Sequence, residues 1–295
     1  NWFHQMWVSA FSGGNGFNPI RLRWQMHPER DIEWYKEMAQ SLGPRRTAQE
    51  IDGDFLASGN SVFDLSDIRA LEEEMTEFTY HSIEYNGSLY LNKPPEKGVQ
   101  YFIGADIASG RARDYTTFTI QDKFGEEYGS FKSKVSVSRA AQILMAVGNR
   151  FNRATIAPES NDIGAAVTAK IQDSGYRNLY YSTKILREKG KSKPTQEIIP
   201  GWITTQKNRP IIIAQLEEDI RLGNIVSRDP FFIQEAYTFI YDENNRPVAM
   251  GKGRKGNTED DNLGTEGFTD DAIMAKAISN YVRKGKHTGP IIIPQ

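Results

Sequence analysis

The chain contains no cysteine, which excludes disulfide frameworks, thiolate metal sites and cysteine nucleophiles. It is also poor in histidine: His4, His27, His81 and His287 are scattered, with no pair at metal-ligand spacing. A hydrolytic metal centre would therefore have to be built from carboxylates, which favours Mg²⁺ or Mn²⁺ over zinc. No apolar run approaches the roughly 18 residues needed to cross a bilayer, and nothing at the start reads as a signal peptide, so no membrane partner is expected. Neither sign of charge dominates. With a net charge of −2 and a pI near 6.2, any nucleic-acid surface has to be local. The phosphate-cradling pattern G-x-x-x-x-G-K-[ST] is missing too; Gly251-Lys252-Gly253-Arg254-Lys255-Gly256 does not satisfy it. The sequence opens on Asn1-Trp2-Phe3 without an initiator Met, and reads as a fragment or processed product.

The 295 residues, 38% hydrophobic and 25% charged, suffice for one large domain or two modest ones with a true core. The texture changes near residue 95. Before it, an extended piece (Pro19 to Met26) precedes a helix from about Pro28 to Leu42, stopped by Gly43-Pro44. An acidic strand-like run (Gln49 to Leu56), a loop at 57–60 and an acidic helix (Ser66 to Phe78) follow, and Asn92-Lys93-Pro94-Pro95 punctuates the chain. Residues 1–95 are too little for an independent core and read as the end of one domain plus a small mixed connector.

In 96–295, Val99 to Ile107, Thr116 to Asp122 and Glu127 to Lys132 read as three strands with short connections, hence an antiparallel meander. Ser138 is expected to cap an amphipathic helix to about Phe151, before a short strand from Ala154 to Pro158; a helix between strands implies a parallel crossover. A helix from Asp162 to Ser174 leads to a fifth strand, Asn178 to Tyr181. This is the RNase H-like order: an α/β fold with a mixed five-stranded core sheet and helices on both faces. A charged loop (Ser182 to Pro200), a helix opened by Asn208 and Pro210 to about Leu222, a helix or strand from Phe231 to Tyr241, a turn at Asn244-Asn245, a Gly- and Lys-rich loop at 251–256 and a last helix from Asp271 to Arg283 complete the reading.

Three acidic positions stand out. Asp106 closes the first strand, Glu159 follows the fourth, and Asp270 with Asp271 opens the last helix. Parallel neighbouring strands would bring Asp106 and Glu159 to one sheet edge, where sites in open α/β sheets lie, with Asp271 as a third wall. Clustered carboxylates repel one another, and a divalent cation is their natural counter-charge. Two such ions about 3.5–4 Å apart can clamp a scissile phosphate. Each residue also has an ordinary role: Asp106 and Glu159 as turn formers or caps, Asp270 as a helix N-cap, Asp271 as a favourable charge at the positive helix end.

Taken together, the segments Ile103-Gly104-Ala105-Asp106-Ile107-Ala108-Ser109-Gly110, Ala157-Pro158-Glu159-Ser160-Asn161 and Phe268-Thr269-Asp270-Asp271-Ala272-Ile273-Met274-Ala275 resemble the three acidic motifs of large terminase nuclease domains of tailed bacteriophages. Trp24 to Asp31 and Gln49 to Gly59 resemble that family's passage from ATPase to nuclease. The resemblance implies an RNase H-like endonuclease that cuts double-stranded DNA at the start and end of genome packaging. Asp106, Glu159 and Asp271 would be catalytic metal ligands, Asp270 a further one, and Asp114 an accessory acid, or simply the cap of the turn into the second strand. It further implies a two-metal Mg²⁺ or Mn²⁺ site. The implied partners are an ATPase domain, a small terminase subunit and the portal of the procapsid, in the host bacterial cytoplasm.

Two basic clusters are candidate DNA contacts: Lys184, Arg187, Lys189, Lys191 and Lys193, and the glycine-flanked Lys252, Arg254 and Lys255. The ordinary alternative for either is a solvated loop. Alternative functions are an actin-like ATPase, for which Asp106 to Gly110 and Asp261 to Thr265 would be phosphate loops, a non-catalytic RNase H-like module docking DNA or portal, and a resolvase- or transposase-type nuclease. The first leaves Glu159 and Asp271 without a task, and the terminase-like connector disfavours the last.

Overall fold

The structure, a computed structural model, describes residues 16–18, 20, 24–51, 61–109, 115–186, 195–242, 244–249 and 269–285. The chain divides into two compact units, Asn1–Ser61 and Val62–Gln295. Residues 62–95, grouped with the connector by the sequence analysis, thus belong to the larger unit.

In the first unit, Trp24–Met26 forms a 3₁₀ turn rather than an extended segment, and helix α1 spans Ile32–Glu50. Asp31 starts α1, its Oδ1 accepting the backbone N–H groups of Glu33 and Trp34 at 3.1 and 2.8 Å. The expected stop at Gly43-Pro44 does not occur, and Gln49 and Glu50 are its last turn, not a strand. Proline removes one backbone donor at a cost of about 3 kcal/mol. The strong helix formers on either side, Glu37-Met38-Ala39-Gln40 and Ala48-Gln49-Glu50, carry the helix across it.

The second unit is built on a six-stranded mixed sheet of β1 (Ser82–Glu84), β2 (Leu89–Leu91), β3 (Tyr101–Asp106), β4 (Thr116–Asp122), β5 (Glu127–Ser133) and β6 (Thr155–Pro158), in the order β1-β2-β5-β4-β3-β6. The meander β3-β4-β5 is antiparallel, and β6 lies parallel to β3, as the sequence pattern predicts. Two strands are additions. β1 and β2 form a hairpin that pairs with β5, so the segment before residue 95 extends the sheet. The expected fifth strand is reduced to a parallel bridge between Ile156 and Leu179. The chain then continues into an antiparallel hairpin, β7 (Tyr181–Leu186) with β8 (Thr195–Pro200), where a loop was expected. Lys184 consequently lies on a strand, in register with Glu197.

Helices cover both faces. Helix α2 (Leu65–Thr76) is capped by Asp64, and α3 (Val137–Arg150) by Ser136, two residues before the expected cap at Ser138. Ser136 has the extended backbone of a cap and accepts the Arg139 N–H, whereas Ser138 already lies within the first turn. Ala140, Ile143, Leu144 and Val147 recur at helical spacing and bury α3 together with Val167 and Ile171 of α4 (Ile163–Asp173) against Tyr101, Ile103 and Ala105. The other face carries α5 (Asn208–Arg221), α6 (Pro230–Ala236) and α7 (Asp271–Lys284). The segment read as helix or strand is both in succession, α6 and then β9 (Phe239–Tyr241), which pairs with β10 (Pro247–Ala249).

Helix α7 lies across β3 and β4 and is buried throughout its first ten residues. Two of its buried polar side chains find partners across the interface: Lys276, with no exposure, pairs with Glu127 and lies 3.6 Å from Asp229, and the Asn280 amide donates to Asp219 at 2.7 Å. Gly104 of β3 permits the close approach. A Cβ there would lie 2.2 Å from the Ser279 nitrogen and 2.3 Å from the Ala275 carbonyl oxygen, both backbone atoms that no rotamer change can move. Gly104→Ala is therefore expected to cost about 2–3 kcal/mol or more, measured by denaturant unfolding; a loss below about 0.5 kcal/mol would mean that α7 does not press on β3 as described.

Candidate functional site

Asp106 ends β3, and β3 pairs in parallel with β6 from Phe102 opposite Thr155 to Ala105 opposite Pro158. One residue further on, Glu159 donates its backbone N–H to the Ala105 carbonyl at 2.7 Å, which sets Glu159 beside Asp106. The Glu159 backbone is held from its other side as well. Trp202 donates to the Pro158 carbonyl at 2.8 Å, Ser160 donates to the Trp202 carbonyl at 2.7 Å, and the Asn161 side chain bonds both the N–H and the carbonyl of Thr204. Gly164 opens α4 directly over the Glu159 carbonyl, where a Cβ would come within 1.7 Å of that oxygen.

Strand alternation decides where Asp106 faces. Ile103 and Ala105 pack toward α3 and α4, and Phe102 and Gly104 toward α7. Asp106 shares the latter parity, so it shares the side on which Asp270 and Asp271 begin α7. Burial, followed by the charges of Glu159, Asp271 and Asp270, holds the Asp106 carboxyl well above the ordinary carboxylate range. The other three acids singled out at the strand ends and the last helix thus lie near enough for their charges to act on Asp106.

Asp270 does not make the ordinary cap. It occupies the N-cap position without a side-chain bond to the helix, and its carboxylate pairs with Arg209 of α5, which also donates to the Pro247 carbonyl. The cap comes instead from Glu235 of α6: its Oε2 accepts the N–H groups of Ala272 and Ile273 at 2.8 and 3.2 Å. Its Oε1 accepts from Lys132 at 2.6 Å and from the Thr269 hydroxyl at 2.7 Å. Lys132 stands on β5 opposite Thr117, which in turn stands opposite Asp106, so Lys132 and Asp106 lie in one row of the sheet. The sequence analysis missed Arg209, Glu235 and Lys132. Their partners lie 61, 37 and 103 residues away, and no local pattern distinguishes them from surface charges.

Among the described residues, no three acidic or histidine side chains are placed so that they could together hold a metal ion. The donors nevertheless suit an oxygen-seeking divalent ion: they are carboxylates, and the neighbours that act on Asp106 are acids. Asp114, Arg187, Lys189, Lys191, Lys193, Lys252, Arg254 and Lys255 lie outside the described residues, and the backbone alone of Lys184 is described.

The raised Asp106 carboxyl predicts a stability effect with a definite sign. A folded pKa above the unfolded value of about 3.9 means no penalty below that pH, a penalty that grows between the unfolded and the folded pKa, and a constant one above. In chelator at pH 7–8, Asp106→Asn should melt above the wild type, by about 2–4 °C per kcal/mol relieved, and the gap should close below about pH 3.5. A lower melting temperature at neutral pH would contradict the crowding of acids around Asp106.

No protein-family model matches the chain, and no curated protein matches it. Solved structures do. The large terminase nuclease from thermophilic phage G20c superimposes with a TM-score of 0.50 and 18% identity, covering 75% of this chain and 98% of that one. The same nuclease with bound magnesium gives 0.50 and 18%, covering 75% and 97%, and with bound cobalt the same values. At this identity the likeness is one of fold: the chain has the RNase H-like fold of large terminase nuclease domains.

Proposed function

We propose that this chain is a metal-dependent endonuclease of a viral genome-packaging motor, cutting double-stranded DNA at the start and end of packaging. One observation carries the reading: Asp106, at the edge where two parallel strands end, feels the charges of Glu159, Asp271 and Asp270, within a fold shared with a terminase nuclease. The magnesium-bound form of that nuclease supports a divalent ion here. Asp106, Glu159 and Asp271 would hold Mg²⁺ or Mn²⁺, while Asp270 stays tied to Arg209. Bound cations, two of them in this reading, would supply Lewis-acid catalysis of phosphodiester hydrolysis.

Without a cation, burial and the neighbouring acids favour the protonated form of Asp106. Binding therefore displaces a proton and becomes easier as pH rises. The backbone bonds on either side of Glu159 and the close packing of α7 at Gly104 pre-set the strand ends, so little ordering is required when substrate arrives.

The surrounding parts follow the same proposal. The segment up to residue 95 would be the end of an ATPase domain and connector, its residues 82–91 completing the nuclease sheet. Partners would be the ATPase motor, a small terminase subunit and the portal, in the host cytoplasm. No helix among the described residues is long and apolar enough to cross a membrane. The two basic clusters, Lys184 to Lys193 and Lys252 to Lys255, would grip phosphates without regard to sequence.

With Mn²⁺ or Mg²⁺ the chain should nick and then linearise plasmid DNA, and chelation should stop it. Asp106→Asn, Glu159→Gln and Asp271→Asn should each reduce the rate below detection while remaining folded by circular dichroism. Full cleavage by Asp106→Asn sinks the assignment, and DNA binding without cleavage in any metal points to a docking module. Replacing Lys189, Lys191 and Lys193 by Ala should weaken binding equally for unrelated sequences. It should also flatten the salt dependence by roughly one unit per lost phosphate contact; an unchanged slope removes that segment from the DNA surface.

A further inference from the structure

The arrangement at the start of α7 reverses an ordinary assignment. An aspartate at an N-cap normally turns back onto the first helical N–H groups. Here Asp270 occupies that position without doing so, and a glutamate from a different helix satisfies those groups. Glu235 fills all its acceptor directions with protein donors: two α7 amides on one oxygen, Lys132 and Thr269 on the other. It is buried, and Lys132 supplies the opposing charge from 2.6 Å. One carboxylate therefore ties three elements together. It reaches the first turn of α7, which carries Asp271. It reaches Thr269, immediately before Asp270. Through Lys132 it reaches the sheet row that contains Asp106. Arg209 braces the opposite flank by holding Asp270.

We infer that Glu235 is the positioning residue of the acidic site. It takes over the capping of α7, so that Asp271 is held for a cation and Asp270 for Arg209, instead of either folding back onto the backbone. This rests on reading Asp106, Glu159 and Asp271 as cation ligands. Glu235 itself does not reach the cation; it acts through the helix end and through Lys132. Loss of its carboxylate leaves two buried amides seeking an acceptor. Asp270, at the N-cap position, is the residue placed to answer them, and would leave Arg209 to do so. A glutamine cannot substitute. Its single carbonyl oxygen can serve the α7 amides, but its NH₂ group then meets the Lys132 ammonium and the Thr269 hydroxyl, both donors in the present arrangement.

The test is a Mn²⁺ titration of the full chain, read as the rise in melting temperature, for wild type, Glu235→Gln, Lys132→Gln and Asp106→Asn. Plasmid nicking is followed at each Mn²⁺ concentration. For Glu235→Gln the Mn²⁺ midpoint of the thermal rise should move about 10–100-fold higher, with nicking lost at low Mn²⁺ and recovered at high Mn²⁺. Rescue by excess metal is what a merely structural contribution would not show. Lys132→Gln, which can still donate to Glu235, should shift the midpoint in the same direction by less. It carries the test if Glu235→Gln fails to fold, and an unchanged midpoint in it would then overturn the inference. A wild-type midpoint in a folded Glu235→Gln, while Asp106→Asn loses the rise, overturns the positioning role alone. An equal rise in wild type and Asp106→Asn overturns the metal site and this inference with it.

Discussion

The contact between Gly104 and the backbone of α7 is the constraint on which the rest of the molecule depends. Without a side chain at that point, a helix lies directly on the central strand, its Ser279 nitrogen and Ala275 carbonyl filling the space of a methyl group. The approach brings the whole first ten residues of α7 indoors, including Lys276, Ser279 and Asn280. Their polar groups must then be answered inside the protein. Glu127 and Asp229 answer Lys276, and Asp219 answers Asn280 and Lys284. Helix and sheet are thus joined by a fitted polar contact rather than by an interchangeable apolar one, and a slide of one residue would break several of these pairs at once.

Buried acids in this protein are treated in two ways. Glu127 faces Lys276, Glu235 faces Lys132, Asp219 faces Lys284, and Asp270 faces Arg209. In each case a basic side chain neutralises the carboxylate. Asp106 differs, since the groups that act on it are further acids and burial itself. Such an arrangement opposes folding at neutral pH unless a proton or a cation relieves it.

Much of this was legible in the residues. The meander, the crossover and the placing of Asp106 and Glu159 on neighbouring strand ends follow from alternation, apolar runs and short turns, all local signals. The start of α7 was legible because Asp270-Asp271 precedes an apolar helical run. What escaped the sequence was governed by distant partners. Ser82 to Leu91 looked like connector because a three-residue strand has little pattern of its own, and pairing with β5 makes it one. The hairpin β7–β8 was hidden by a lysine-rich stretch that reads as a loop, and α1 continues past a proline that normally ends a helix. Glu235 in Phe231-Phe232-Ile233-Gln234-Glu235 gives no sign of the helix end it satisfies 37 residues later.

The two faces of the sheet also differ in when they can be completed. The apolar cluster beneath α3 and α4 draws its buried members from Leu89 to Leu179. The opposite cluster runs from Val62 to Val282, with Ala272, Ile273, Met274, Ala277, Ile278 and Val282 at its centre. A chain emerging from the ribosome can therefore seal one side early, while Phe102 on the other side stays bare until α7 has been made. That interval is a vulnerable one, since a half-covered sheet invites association with other nascent chains. The closing helix arrives late and carries Asp270 and Asp271 with it, so their charges reach Asp106 only once that helix has docked.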